Sequence, residues 1–517
     1  MLKMNCKVLS LLSVFLLFSC AKKELFIQED LGSQTIENYS FEEPKVVGGS
    51  FYIDPVLGLD EGDGSKENPW KTLKHVLESG KVQYYKHSEN YNPDSDLILV
   101  NENAPVKEGD ELVLMSGYHG NIALNNFMFK DEWLTIRGEN GQKPVLSQFK
   151  LTGAFKNIYL KDLRVIKSSY DGNDNYWETE VLNSSNRGSM IHLESINFHG
   201  KGSYVKFNNV HASTTENTNG WSAKEWLDKS ASGFNLRAVE HVEIINSKIE
   251  NVAMGISVDY GSDNFSVINS EVLLFSHDGM RLCSNNIKCY DNKIIGCIYV
   301  DSELPEYRHH DGIQSYARGD NNNPGQGTLE NVFIKNNLIA MIPKGSNNLH
   351  GNLQGIGCFD GFFKNWIIEN NVVLTDNYHG IAMYGMLDGK ILNNTVIDQL
   401  DGNDKSPWIV IKNHKTRGPS QNSIIANNLV SRSLSYDQES LNVFEENNYI
   451  IGRDKFDLLS EIFENTEDFN MNVKVNDFTR KHIIDKGKTL ENVYSSIWDI
   501  NGKNREGAPD IGAYEAK

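Results

Sequence analysis

Apolar residues recur along this chain in short bursts with a fixed companion. The bursts at 244–249, 267–272, 289–294, 334–339, 368–373, 392–397 and 425–430 read apolar, any, Asn or Asp, small polar, any, apolar. The segment 206–210 looks like an earlier member. The Asn or Asp column advances by 23, 22, 45, 34, 24 and 33 residues, so the unit is 22–24 residues and longer steps carry insertions. A second column, Gly233, Gly255, Gly279, Gly312, Gly355 and Gly380, runs in phase with it. Alternation of apolar and polar positions marks each burst as strand, not helix.

A unit this short cannot bury its own apolar face, so neighbouring units must stack. Asn tolerates left-handed backbone and hydrogen-bonds from coil to coil, which suits a repeated corner. These features predict an all-β chain, a right-handed parallel β-helix solenoid. The regular Leu scaffold of a leucine-rich repeat is missing, and a propeller would show longer units with hairpin turns. Period two after each Gly sends Phe234, Ile256, Met280, Ile313, Ile356 and Ile381 inward. Asn235, Ser257, Arg281, Gln314, Gly357 and Ala382 then face out, followed two residues later by Asp259, Cys283, Tyr316, Phe359 and Tyr384. At the front, Trp70, Leu73, Val76 and Leu77 share one helical face, as a capping helix requires.

Residues 1–19 are an address and not structure. Lys3 and Lys7 precede an apolar run of about 11 residues, too short to span a bilayer. The stretch ends Leu17-Phe18-Ser19-Cys20 and resembles a bacterial lipoprotein signal, which implies lipidation of Cys20 and export to a bacterial membrane surface, the outer membrane being expected. Residues 20–48 read as a polar tether, 49–450 as the β-helix and 451–517 as a capping tail. Cys283, Cys289, Cys297 and Cys358 show no zinc-like spacing and read as buried thiols. A net charge of −19 argues against a nucleic-acid partner, which needs a basic surface.

The opening 51–77 and the ending, Asp499-Ile500-Asn501-Gly502 with Asp510-Ile511-Gly512-Ala513-Tyr514, resemble those of secreted parallel β-helix carbohydrate-active proteins of the polysaccharide-lyase kind. The string His310-Asp311-Gly312-Ile313-Gln314 is similar to one seen in β-helix carbohydrate enzymes. The resemblance implies an enzyme acting on an acidic polysaccharide or oligosaccharide. Full motifs of pectate lyases, polygalacturonases or alginate epimerases are absent.

Polar residues gather on the outward side of the coils from 278 to 384. Stacked coils lie about 4.8 Å apart, which aligns Asp278, Asp311, Gln354 and His379 in one outward row. Arg281 and Gln314 form the next row, then Tyr316 and Tyr384; His277, His309 and His310 flank them. Elimination beside a uronate carboxylate needs a cation or amide to neutralise the carboxylate, a base and an acid. Arg281 and Gln314 suit the first role, His379 or His310 the second, Tyr316 or Tyr384 the third; Asp311 completes the catalytic set. Asp278, Gln354, Arg318 and Lys412 are expected to bind substrate. If water leaves from a chain end, the same groups give a dehydratase. Hydrolysis by paired Asp278 and Asp311, epimerisation and non-catalytic glycan binding are the alternatives. Trp366 and Trp408 are read as packing residues, and Lys412, His414, Lys415 and Arg417 as a basic edge or a solvated turn. A calcium role for the Asp row is the one cofactor possibility raised. An outward Arg281 predicts that Arg281→Ala abolishes turnover and spares stability.

Overall fold

In a computed structural model the described residues are 39–90, 92–167, 188–195, 203–298, 310–319, 322–342, 349–399, 404–490, 495, 497–505 and 507–516. Cys20 and His309 lie outside them. The chain divides into two compact units, 1–41 and 42–517, and the coils belong to the second.

Each coil supplies three strands, as in Ile256–Asp259, Asp263–Ile268 and Glu271–Phe275 before the next coil opens at Met280–Leu282. The first kind joins a 13-stranded sheet, here called the glycine face; the other two lie in a 24-stranded sheet. Pairing from coil to coil is parallel and in step, with Ile256 opposite Met280, Phe265 opposite Ile287 and Val272 opposite Ile294. Antiparallel exceptions sit at the ends: Tyr84–His87 with Leu97–Val100, and Phe463–Asn465 with Asn470–Val473. The fold is a parallel β-helix. Its core is the column of inward apolar residues, Phe265, Val267, Ile287, Cys289 and Ile334 among them, all at most 1 % exposed.

The asparagine corner explains the first column. Asn246, Asn269, Asp291, Asn336, Asn370, Asn393 and Asn427 all have φ between 46° and 57°, a region costly for most side chains and mild for Asn. Their side chains form an outer row, and in its first coils the Nδ2 groups donate to the preceding coil: Asn246 to Asn208 at 3.0 Å, Asn269 to Asn246 at 2.7 Å, Asn336 to Asp291 at 3.0 Å. The next residue of each coil builds an inner, buried row. Asn292, Asn337, Asn371, Asn394 and Asn428 donate onward to the following coil at 2.9–3.0 Å. A further left-handed column, with Asn286, Asn331 and Asn365, bonds in the same way at 2.7–2.9 Å at the start of the larger sheet's strands. The repeat is one residue out of step in one coil: Leu392 pairs with Glu369, so Asn393 and not Asn394 occupies the outer corner.

The front cap is a short helix, Leu73–Glu78, with Thr72 accepting from the His75 N–H; Leu73, Val76 and Leu77 are buried with Trp70. The tail does more than close the far end. Carbonyls of Trp498 and Lys488 accept from Asn370 and Asn427, and the Ser495 hydroxyl accepts from Asn393. The tail thus takes over the outer amide row where the coils stop supplying partners. Cys283, Cys289, Cys297 and Cys358 are free, buried thiols.

Candidate active site

The glycine column fixes where each strand of the glycine face begins. A Cβ on Gly279 would lie 2.4 Å from Ile294 Cγ2, on Gly312 2.3 Å from Ile339 Cγ2, and on Gly355 2.4 Å from Val373 Cγ1. No side chain fits that corner, so the following residue enters with set parity. Ile256, Met280, Ile313, Ile356 and Ile381 are wholly buried. Ser257, Arg281, Gln314, Gly357 and Ala382 are successive register partners on the outer side of the strands, the last two themselves buried.

The row before the glycines differs from expectation. Asp311 does point outward, since its Oδ1 lies 2.4 Å from where a Cβ on Gly357 would sit. Yet Asp278 and Asp311 are 0 % exposed, His310 4 % and Gln354 8 %. These are not solvent-facing groups but a covered layer beneath the surface. Bonds from their neighbours provide part of the cover. Asp278 Oδ2 meets Arg281 Nη2 at 2.7 Å and His277 Nδ1 at 2.9 Å. Asp278 Oδ1 accepts the Asp311 N–H at 3.2 Å. Gln314 accepts from Arg281 Nε at 3.1 Å through Oε1 and donates from Nε2 to Asp311 Oδ2 at 3.1 Å. The two carboxylates therefore hold Arg281 and Gln314 from below.

The electrostatics follow from that layer. Burial opposes the Asp278 charge, but His277 and Arg281 outweigh it and keep the carboxyl below the usual carboxylate range. Burial also works against the Arg281 cation, and the Asp278 charge more than restores it. Tyr316 lies between two guanidinium groups, whose carbons are 5.8 Å (Arg281) and 4.9 Å (Arg318) from the ring centre. Arg318 Nη2 donates to the Tyr316 hydroxyl at 3.1 Å and its Nε faces Asp259 at 3.4 Å. Burial pushes the Tyr316 phenol up, so it stays protonated at neutral pH. Cys283, expected to face out, is buried at 6 % exposure, and burial pushes its thiol up to about 12.

Toward later coils the surface becomes aromatic. Gly357 and Ala382 carry little side chain of their own and are covered: the Phe359 ring and Asp311 Oδ1 lie where a Cβ on Gly357 would project, and Ala382 is 0 % exposed. Phe359 meets His379 and Tyr384 edge-on at 4.9 and 5.3 Å. His379 pairs in register with Trp408, whose indole N–H donates to His379 Nδ1 at 3.4 Å. Trp408 stacks on Tyr378 at 5.2 Å with the Arg432 guanidinium 5.1 Å away. Trp366 is a core residue at 0 % exposure. Lys412 pairs with Asp437 at 3.0 Å, Lys415 with Asp360 at 2.7 Å, and the buried His414 ties its own turn to Gly325. That basic edge is thus largely neutralised. Among the described residues, three or more His, Cys, Asp and Glu side chains nowhere converge as a metal site would require.

Sequence reasoning passed over Asp376. It lies in a turn outside both columns, partly exposed, with Oδ1 accepting the Leu353 N–H at 3.1 Å. Burial, reinforced by Asp398 and opposed by backbone N–H groups and Lys405, pushes its carboxyl up to about 7.

No protein-family model matches the chain, and no curated protein sequence does. Among solved structures, pectate lyase Pel9A is similar at 14 % identity over 91 % of this chain and 97 % of that one, with a TM-score of 0.41. The A-module of Azotobacter vinelandii mannuronan C-5 epimerase AlgE6 is similar at 13 % over 66 % and 83 %, TM-score 0.42. XylC in complex with xylose is similar at 8 % over 90 % and 98 %, TM-score 0.45. The winding and the chemistry assigned to this chain rest on its own strand register and side chains.

Proposed function

We propose that the chain performs β-elimination on a uronic-acid-containing polysaccharide or its oligomers. One observation carries the reading: Arg281 and Gln314, adjacent in register on the glycine face, are held in place by the buried carboxylates of Asp278 and Asp311. A guanidinium and an amide fixed in advance suit a carboxylate whose negative charge grows when the neighbouring proton leaves. Tyr316, kept as a phenol between two guanidinium groups, supplies the proton for the leaving oxygen. The Phe359, Tyr384 and Trp408 rings offer apolar faces to a sugar. When the leaving oxygen is water at a chain end, the same groups act as a dehydratase.

Hydrolysis by paired carboxylates loses support, because Asp278 and Asp311 are both 0 % exposed and Asp278 is held ionised by Arg281. A panel of acidic polysaccharides and oligomers, read by ultraviolet absorbance and mass, tests the reading. An unsaturated, absorbing product is expected, with loss of water and no cleavage in the dehydratase case. Cleavage that adds water without absorbance would overturn it, as would binding without turnover.

The same reading sets the chain outside the cytoplasm, anchored through lipid on Cys20. Labelling with a fatty-acid analogue should mark the wild type and not Cys20→Ser. Equal labelling of both would refute the anchor.

A further inference from the structure

Beyond Tyr316 the chain enters a closed turn that carries Arg318. The Gly325 N–H reaches the Ala317 carbonyl at 2.8 Å, the Gly319 N–H reaches Asn323 at 3.1 Å, and Arg318 and Pro324 form an antiparallel bridge. A Cβ on Gly327 would lie 2.1 Å from the Arg318 carbonyl oxygen, so no side chain fits against this backbone. The guanidinium is tied as firmly. Nη2 donates to the Tyr316 hydroxyl at 3.1 Å, Nη1 donates to the Asn322 carbonyl at 3.1 Å, and Nε faces Asp259 Oδ1 at 3.4 Å. Asp259 ends the strand Ile256–Asp259, two coils before the strand of Tyr316.

Arg318, expected to bind substrate, thus has an oxygen of the protein at each of its three nitrogens. The bond to Tyr316 also has a direction. A guanidinium can only donate, so the phenol oxygen is the acceptor, and its own proton turns away from the cation. Tyr316 follows Gln314 by two residues and lies on the same side of the strand, half-buried like it. Its ring centre is 5.8 Å from the Arg281 guanidinium carbon. The phenol therefore stands beside the pair of groups that would receive a uronate carboxylate.

We infer that Arg318, held by Asp259, is the positioning residue of Tyr316 and turns the phenol proton toward the leaving oxygen instead of binding the sugar itself. The assignment rests on the elimination reading proposed for this site. The C–H bond beside the uronate carboxylate gives its proton to the general base of that reading, an imidazole. Its electron pair forms a double bond to the next carbon, whose bond to oxygen breaks with both electrons on oxygen. Tyr316 protonates that oxygen and is left as a phenolate between Arg281 and Arg318, two cations that favour the anion. Phenolate and imidazolium then exchange protons with water. The charged and titratable groups facing Tyr316 are Cys283, Asp259, Arg281 and Arg318.

The experiment compares full-length wild type and Arg318→Met on two substrates. One is the oligouronate that gives the unsaturated product; the other is a uronate whose leaving oxygen carries a nitrophenyl group. Nitrophenolate departs without a proton, so only the first substrate needs the acid. On the first, Arg318→Met should lose at least ~10-fold in kcat with KM nearly unchanged, and on the second it should match the wild type. Adding Tyr316→Phe to Arg318→Met should cost no more than Tyr316→Phe alone. The alkaline limb of the pH–rate profile, where the phenol loses its proton, should move to higher pH in Arg318→Met, because a cation that favours the phenolate is gone. Equal losses on the two substrates, a raised KM with kcat retained, or additive losses in the double variant overturn the assignment while the elimination reading stands. Partial misfolding lowers both rates by one factor and leaves their ratio intact. Should Arg318→Met not fold at all, Arg318→Lys is read by the same ratio: a loss confined to the first substrate supports the assignment, and equal losses refute it. A wild type that forms no unsaturated product from any acidic glycan refutes both.

Discussion

The asparagine corner and the glycine face are built by the same repeat and obey opposite rules. At the corner one coil after another places the same kind of side chain in the same bond, as with Asn337, Asn371 and Asn394 in one buried row. On the glycine face the pairing is also parallel, with shifts at Ser315/Tyr316 and His379/Ile381, and the outer row of register partners reads Ser257, Arg281, Gln314, Gly357, Ala382. Uniformity holds the coils together; where the register persists but the side chains stop repeating, chemistry has room. That difference, more than any single residue, is what singles out the candidate site.

The largest expected effect lies where the two rules meet. Arg281→Met should reduce turnover at least ~100-fold and, because Asp278 is 0 % exposed and would be left unpaired, cost about 3–5 kcal/mol of stability. Arg281 does face outward, as expected, but its bond to buried Asp278 replaces the expectation that it can be removed without cost to stability. Adding Asp278→Asn should return most of the melting temperature and none of the rate; recovered activity would show that Arg281 only neutralises Asp278. The pH dependence carries the same signature. The Asp278 carboxyl lies low in the folded chain, so its contribution is complete above the unfolded value near ~4 and fades as pH falls through the folded value. Acid melting curves of Asp278→Asn should lack that component.

Within the corner, the inner and outer rows should separate. Asn371→Ala leaves the Ile334 carbonyl and the Asn337 N–H without their partner at 0 % exposure, a loss of about 2–4 kcal/mol. Asn269→Ala removes one exposed bond and strains a residue at φ 46°, about 1–2 kcal/mol. Asn269→Gly should cost less than Asn269→Ala. Denaturant midpoints of the three variants measure the order, and equal losses for Asn371→Ala and Asn269→Ala would dissolve the distinction between the rows.

The winding was legible because corners impose local demands. A positive φ selects Asn and a missing Cβ selects Gly, and both leave columns in the sequence. The inner row was legible in principle from the Asn-Asn doublets at 336–337, 370–371, 393–394 and 427–428. The same doublet at 393–394 hid which Asn held the corner. The outward rows could be counted from the glycines, but burial could not. What covers Asp278 and Asp311 comes from other coils and from their own bonds, which parity along one strand does not encode. Asp376 left no trace because a turn residue belongs to no column, and its character comes from Asp398, Lys405 and the Leu353 N–H, all distant or backbone.

The two amide rows also have a sense of direction. Outer amides such as Asn246 and Asn269 donate toward the beginning of the chain, while inner amides such as Asn337 and Asn371 donate toward its end. Their dipoles therefore oppose one another along the axis. Lengthening the spiral by further turns would not build up a growing axial field from these side chains. The potential over the glycine face is left to Arg281, Arg318 and their immediate neighbours.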